Sequence, residues 1–499
     1  MEAVSQRRTQ EGLMVRKFLN YFLIALGLLL SVIFVRAYLH QPDSYETKIE
    51  SRLVLDETKA IENLSTSIQF KTISHPDYEK FDYDEFQRFL DWLEKEYSQV
   101  FKNLEKKYLG NTLLLKWQGE DLSLNPILLT GHYDVVPVKA NANNVWQEDP
   151  FSGKIDSEYI WGRGALDDKS GVIAILEAVD YLLNKSFKPQ RTVYLSFGHD
   201  EEIGGRRGAG KVTEFLIDQD VELEWTLDEG SFLLKDIIPG VNKPVAIINV
   251  AEKGSLTIQV IGKSEGGHSS MPSSKSSIGY LSEALLKLED NPIPGRLEGI
   301  SLGLFNEVSK QMPFQYKILF ANLWLFEPLI NSILSDSPTM NAVIRTTTAP
   351  TMLSASNRLN VLASEAIGTV NFRLHPRDNP ESIVNYVKDL IGNKNIEVKK
   401  LSAGTLASSV SDWNTDGYRV ISNSVREVYG DIIVAPGLMV GGSDSKHYAK
   451  AAKNSYRFNP FPLSANELSG LHGVDERIKK NDFLNGIRSY IGIIESGAD

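Results

Sequence analysis

There is no cysteine among the 499 residues. That absence excludes a disulfide framework, an iron–sulfur cluster, a thiolate metal site and a cysteine nucleophile. Histidine is scarce as well, with eight residues, so any metal must be held by a few imidazoles together with Asp and Glu. Basic charge is in deficit. Lys+Arg 53 against Asp+Glu 64 leaves a net charge of −11, with no basic block, which provides no electrostatic footprint for nucleic acid. With 42% hydrophobic and 23% charged residues the composition is globular, and a disordered or fibrous chain is excluded. At 55.7 kDa the chain exceeds one ordinary hydrophobic core, and two domains are expected.

One long apolar run is present. Phe18 to Val35 is broken only by Asn20, Gly27 and Ser31 and is just long enough to cross hydrocarbon as a helix. Arg7, Arg8, Arg16 and Lys17 precede it, and the stretch after Arg36 is mildly acidic (Asp43, Glu46, Glu50). The positive-inside bias puts 1–17 in the cytoplasm and the body of the protein on the extracytoplasmic or lumenal side. A cleaved signal peptide is the competing reading, with secretion of a chain starting near Tyr38. The run is longer than a usual signal core, and the small-residue candidate Val35-Arg36-Ala37 contains an arginine.

Beyond the run, strands and helices alternate. Pro126–Thr130, Thr192–Phe197 and Glu224–Leu227 read as buried strands. Val172, Ile175, Leu176, Val179 and Leu183 recur at helical spacing and predict a helix over 169–184. Val420, Ile421, Val425 and Val428 mark another helix, followed by a strand over Asp431–Ala435. This predicts an α/β domain with a mainly parallel sheet. Residues 254–403 change character: a strand at Leu256–Ile261, a helix around 278–289, a poorly patterned stretch, β-rich segments at Ala342–Thr351 and Ala366–Leu374, and a helix at 381–391. That is the pattern of an inserted α+β domain. The expected organisation is a cytoplasmic segment 1–17, a membrane anchor 18–35, a catalytic domain in two parts (45–253 and 404–499), and an inserted lid or dimerisation domain 254–403.

Polar clusters follow the expected strands. They are Gly131-His132-Tyr133-Asp134, Asp167-Asp168 before the helix at 169, His199-Asp200-Glu201-Glu202, and Asp228-Glu229; His472 stands in Leu471–Glu476. In an open α/β sheet the loops at the carboxyl ends of strands converge on one crevice. So many buried carboxylates would each cost several kcal/mol uncompensated, and bound dications remove that cost. Singly, each cluster is ordinary: a hydrogen-bonded loop histidine, or acids at a helix start. Their joint occurrence in order points to a metal, and imidazole plus carboxylate without thiolate suits Zn²⁺, with Mn²⁺ or Co²⁺ as substitutes.

Four motifs together resemble the M20 family of metallopeptidases: Gly131–Pro137, Trp161–Lys169, His199–Glu202 and Gly266-Gly267-His268-Ser269-Ser270. Arg345–Pro350 with Asn360-Val361-Leu362, and Gly442–Tyr448, are similar to its carboxypeptidase S and N-acyl-amino-acid hydrolase branch. The resemblance implies two zinc ions per chain. His132 and Asp228 would hold one, Glu202 and His472 the other, and Asp167 would bridge them. It further implies a cis Asp167–Asp168 peptide, Glu201 as general base on the water between the metals, and Asp134 orienting the His132 ring. On an extended backbone the adjacent Glu201 and Glu202 would point oppositely. From the inserted domain the resemblance brings His268 to stabilise the oxyanion, often across a homodimer or after closure. Asn360 and Arg373 match positions that bind the substrate's free carboxylate, a task suited to the guanidinium fork, and Ser443 would add donors.

Three functional readings follow. The first is a zinc hydrolase cleaving a peptide or N-acyl amino acid at an amide beside a free carboxylate. The second is a dipeptidase or deacylase of small polar metabolites, and the third a non-catalytic membrane-tethered binding protein. Glu201 and all five ligands are present, which weighs against the third. The apolar stretch 300–335 reads either as an acyl pocket lining or as the core of an enlarged lid.

Overall fold

The computed structural model of the chain describes residues 2–42, 53–138, 145–238 and 240–499. The start of the first catalytic segment at 45, with Asp43, Glu46 and Glu50, lies outside the described residues, and so do the side chains of Arg7 and Arg8.

A ten-stranded sheet forms the body. Ile127–His132 lies at its centre, parallel to Val193–Gly198 on one side and to Leu223–Asp228 on the other. Ala452–Arg457 continues the parallel run beyond Leu223–Asp228, and Ile433–Met439 runs parallel to Val245–Glu252. The apolar strands Ile127–His132 and Val193–Gly198 are buried along their whole length, as expected for strands covered on both faces. The helices Lys169–Asn184 and Lys480–Gly497 pack together over the sheet and share its large core with Trp225, Leu227 and Tyr456.

The sheet is mixed, with antiparallel pairings added to its mainly parallel set. Glu105–Leu109 and Thr112–Trp117 form a hairpin, and the second strand meets Val193–Gly198 antiparallel. The hairpin closes through Gly110-Asn111, with Gly110 at φ 65°, a conformation that costs glycine little. Val245–Glu252 likewise runs antiparallel to Ala452–Arg457 and to Leu233–Leu234. Leu113-Leu114-Leu115 is as apolar as a central parallel strand, so hydropathy alone does not separate the two directions.

A second, four-stranded antiparallel sheet has the order Thr347–Ser354, Glu365–Leu374, Gly254–Lys263, Ile396–Lys400. Its central strands alternate, with Leu256, Ile258 and Val260 and then Ala366, Val370 and Phe372 turned inward. The helices Ser277–Asp290 and Pro380–Ile391 cover that inner face through Leu281, Leu288, Ile383 and Val387, a core separate from the large one. Asn379 starts the second helix with a capping box before Pro380, and Gly392 ends it in the left-handed region.

The poorly patterned stretch is helical: Ile300–Ser309, Phe314–Phe320, Leu323–Ser335 and Pro338–Ile344. Ala342–Ile344 is therefore helix, not strand. Pro338 opens that helix in its first turn, and extended structure starts only at Thr347. The N-terminal apolar run lies within one helix, Glu2–Leu39.

Candidate active site

Strand ends deliver the polar residues. His132 is the last residue of its strand and Asp228 the last of the next, while His199 to Glu202 follow Val193–Gly198. Asp167 arrives on the loop before the helix Lys169–Asn184, across a cis Asp167–Asp168 peptide. His472 comes from a tight turn near the C-terminus, at φ 53°.

Four of these side chains converge. His132 Nε2 lies 2.9 Å from Asp167 Oδ1, and His472 Nε2 lies 3.1 Å from Asp167 Oδ2 and 3.0 Å from Glu202 Oε2. Asp167 thus stands between the two imidazoles, and ligand atoms of His132, Asp167 and Glu202 lie within 4.8 Å of one another, close enough for metal binding. Asp228 is buried as well; its Oδ2 accepts the Ser445 N–H at 2.7 Å, and the His132 charge acts on it.

Asp134 faces the His132 ring with both its carbonyl and its carboxylate. The His132 ring donates from Nδ1 to the Asp134 backbone carbonyl at 2.9 Å, while the carboxylate stands 3.5 Å away. The two carboxylate oxygens also accept the N–H groups of Glu201 (3.1 Å) and Glu202 (3.2 Å). The residue therefore reaches both the His132 ring and the Glu201-Glu202 segment. That segment is a 3₁₀ turn, Glu201–Ile203, rather than extended backbone, because Asp134 gathers both N–H groups on one side.

Glu476 and Arg163 were not singled out in the sequence, yet they tie the Asp167 loop to the His472 turn. Glu476 Oε1 accepts the N–H groups of Gly164 (3.0 Å), Leu166 (2.8 Å) and Asp167 (3.2 Å). Its Oε2 takes Arg163 Nη1 at 2.5 Å, and Arg163 Nη2 donates to the Gly473 carbonyl at 2.7 Å. Both side chains are buried. Burial pushes the Glu476 carboxyl up to about 7 against the pull of Arg163 and the Leu166 N–H. Four donors on two oxygens favour the charged form. Asn459 similarly holds Asp168 Oδ1 at 2.8 Å and accepts the Tyr490 hydroxyl at 3.0 Å. The available signals were an Asp-Glu doublet three residues after His472 and an arginine four residues before Asp167.

The donor chemistry fits a divalent cation. Burial, reinforced by neighbouring carboxylates, pushes Glu201, Glu202 and Glu229 above the usual carboxylate range, and burial does the same to Asp228 against the pull of the Glu229 N–H and Arg457. Hydrogen bonds to Asp167 and Glu202 pull His472 up to about 10, the direction that surplus negative charge imposes on an imidazole. Among the described residues, Glu202 Oε1 and both oxygens of the buried Asp444 accept no hydrogen bond. Two imidazoles and several carboxylates without thiolate are the ligand set of zinc rather than of calcium.

The remaining expected residues lie elsewhere. His268 is exposed on a short pairing of Gly267–His268 with Val361–Leu362 and contacts Ser270 through Nδ1 at 2.8 Å. Asn360 is exposed and accepts the Ser269 N–H through its carbonyl. Arg373 is exposed on the four-stranded sheet, between Thr347 and Ser255. Ser443 is fully buried, and its N–H and hydroxyl both donate to Glu252 Oε2 at 3.1 Å. The structure brings His268, Asn360 and Arg373 into no contact with the His132–Asp167–Glu202–His472 group among the described residues.

The chain matches the model of peptidase family M20/M25/M40 over residues 128–496. It is 39% identical to the probable carboxypeptidase S-like 2 of Dictyostelium discoideum, over 90% of this chain and 87% of that one. It is 36% identical to the N-fatty-acyl-amino acid synthase/hydrolase PM20D1 of Xenopus tropicalis, over 95% and 94%. Its fold is similar to that of human carnosine dipeptidase 1, with a TM-score of 0.58 at 16% identity over 94% of this chain and 99% of that one. The M20 metallo-carboxypeptidase Sso-CP2 of Sulfolobus solfataricus also gives 0.58, at 18% identity over 88% and 99%.

Proposed function

The chain belongs to peptidase family M20/M25/M40, and from that premise we propose a zinc hydrolase that cleaves an amide beside a free carboxylate, in a peptide or an N-acyl amino acid. The observation that carries the proposal is the convergence of His132, Asp167, Glu202 and His472 from four separate segments. In this reading His132 and Asp228 would hold one zinc and Glu202 and His472 the other, with Asp167 shared between them. When bound, the pair neutralises the carboxylates and acts as Lewis acid toward the amide carbonyl. Glu201 takes the proton of the attacking water and returns it to the leaving nitrogen. Asp134 positions Glu201 through its N–H, and His268 donates to the oxyanion after closure or from a partner copy.

The substrate class has support from chemistry common to the relatives. A carboxypeptidase substrate and an N-fatty-acyl amino acid both carry an α-carboxylate next to the scissile amide. Arg373, with Asn360 beside it in the proposal, is the anchor for that charge; Ser443, expected as a further donor, is buried with its N–H and hydroxyl both given to Glu252. The organisation that goes with this reading is a catalytic body of 45–253 and 404–499, with 254–403 as lid and homodimer surface. The helix Glu2–Leu39 anchors the body on the extracytoplasmic side; cleavage of the segment would secrete it.

Two results are expected. Metal analysis finds about two zinc ions per chain, as five ligands with one bridge require, and chelation abolishes hydrolysis until zinc is restored. Fewer than one bound metal in the active preparation would sink the zinc reading. Amidating the substrate carboxylate costs about 30- to 1000-fold in kcat/KM, the worth of a charge-assisted pair. Arg373→Ala loses a similar factor on free-carboxylate substrates and almost nothing more on amidated ones, because both changes remove the same interaction. Equal cleavage of free and amidated substrates would favour a general deacylase instead.

A further inference from the structure

The exit end of the N-terminal helix is seated on the helical stretch 314–335. Its buried side chains at that end are Ile33 and Ala37, one turn apart. The Asn322 amide, itself fully buried, donates to the Ile33 carbonyl at 3.1 Å, and Arg36 Nε donates to the Ala321 carbonyl at 2.9 Å. Phe34 stacks on Phe314 with ring centres 6.3 Å apart, and His40 Nε2 meets the Ser309 hydroxyl at 2.8 Å. Above this clasp the helix is bare: within Arg16–Leu39 the most apolar 18-residue window has a mean hydropathy of 2.5 and is 6% buried. The clasp thus grips the span where its apolar run gives way to Arg36, which is the depth of a headgroup layer.

The gripping helices, Phe314–Phe320 and Leu323–Ser335, meet at 109°, and the second is apolar on two sides. Its inner row, Ile330 and Leu334, packs against Leu297, Phe305 and Ile344. Its outer row is exposed: Trp324 57%, Leu325 42%, Leu329 50% and Ile333 52%. Glu327 is the one charged residue in Leu323–Ser335. A soluble surface helix is expected to be polar on its outer side, and a row of large apolar side chains beside a bare span marks a surface made for another apolar phase.

Resting on the reading of Glu2–Leu39 as a retained anchor, we propose that the outer face of Leu323–Ser335 lies in the acyl–headgroup boundary of the bilayer leaflet from which the anchor emerges. The occupant is lipid rather than protein because the face is continuous with the end of the span, to which the Ala321-Asn322 turn between these helices is hydrogen-bonded. Trp324 and the half-exposed Tyr316 are the aromatic types that settle at that boundary. Apolar insertion, not attraction to anionic lipid, holds the face down, since the chain carries −11. The stretch 254–403 is thereby fixed against the membrane.

The absence of cysteine makes the test direct. Single variants Leu329→Cys, Ile333→Cys, Leu26→Cys on the span and Leu122→Cys on the body each take one nitroxide, in the full chain reconstituted into phosphatidylcholine vesicles. The expected result is that labels at 329 and 333, like that at 26, collide several-fold more with oxygen than with a water-soluble nickel chelate, and that the label at 122 does the reverse. The ratio at 329 and 333 should not change between low and high salt. An aqueous signal at 329 and 333 with a lipid signal at 26 overturns the proposal and leaves the anchor standing. An aqueous signal at 26 removes the anchor and the proposal with it. Dipolar broadening between labels at 333 on two chains assigns the face to a second copy and also overturns it. Hydrolysis of a dispersed substrate at the unlabelled rate confirms that each labelled chain is folded.

Discussion

Glu201→Gln is expected to retain the fold and the metal content of the parent and to lose about 10²- to 10⁴-fold in kcat, the usual contribution of a positioned base and about 2.7–5.5 kcal/mol of transition-state stabilisation. The side chain keeps its size, and what sets its direction is untouched: the Glu201 N–H is held by Asp134 Oδ1 at 3.1 Å. Only the ability to accept and return a proton is removed. Glu202→Gln should behave differently, because Glu202 Oε2 stands 3.0 Å from His472 Nε2 inside the ligand group, so its effect should fall on metal occupancy first. Measuring zinc content and kcat together for both variants separates the roles. If Glu201→Gln came out empty of metal and Glu202→Gln full, the two assignments would be exchanged.

Local periodicity carried much of the fold. Lys169–Asn184 forms over the residues where apolar spacing places it, and the strands Ile127–His132, Val193–Gly198 and Leu223–Asp228 lie within two residues of the apolar runs that announce them. Strand direction was not legible, since Thr112–Trp117 pairs antiparallel with a residue pattern fit for a parallel strand. The helices between 300 and 344 were not legible either. Leu323–Ser335 is apolar on its inner and outer faces, and a pattern with no polar side has no period to read. At the site, residue types and their order brought out His132, Asp167, Glu202 and His472, which the structure gathers. What remained hidden was the work of main-chain groups: Asp134 acting through its carbonyl on His132, and Glu476 collecting three N–H groups. Such bonds depend on where loops cross, and no spacing in the sequence encodes that.

Removing Glu476 is therefore the second large effect expected. Arg163 is buried with it, and deleting one partner of a buried pair leaves an uncompensated charge, at a cost of about 3–5 kcal/mol. Glu476→Ala should lower the thermal midpoint by several degrees. It should also loosen metal binding, because the N–H groups of Gly164, Leu166 and Asp167 lose their common acceptor, and Arg163 no longer holds the Gly473 carbonyl beside His472 in a fixed place. Glu476→Gln is the milder change. One amide oxygen can still take the loop N–H groups, while the charge facing Arg163 is gone, so it should recover zinc affinity more than stability. Combining Glu476→Leu with Arg163→Met restores neutrality without restoring the acceptor, and it should regain stability while metal affinity stays reduced. That divergence is the signature of a residue that positions Asp167. If zinc affinity and kcat instead tracked stability in all three variants, Glu476 would be a structural link between two loops and would have no particular hold on the site.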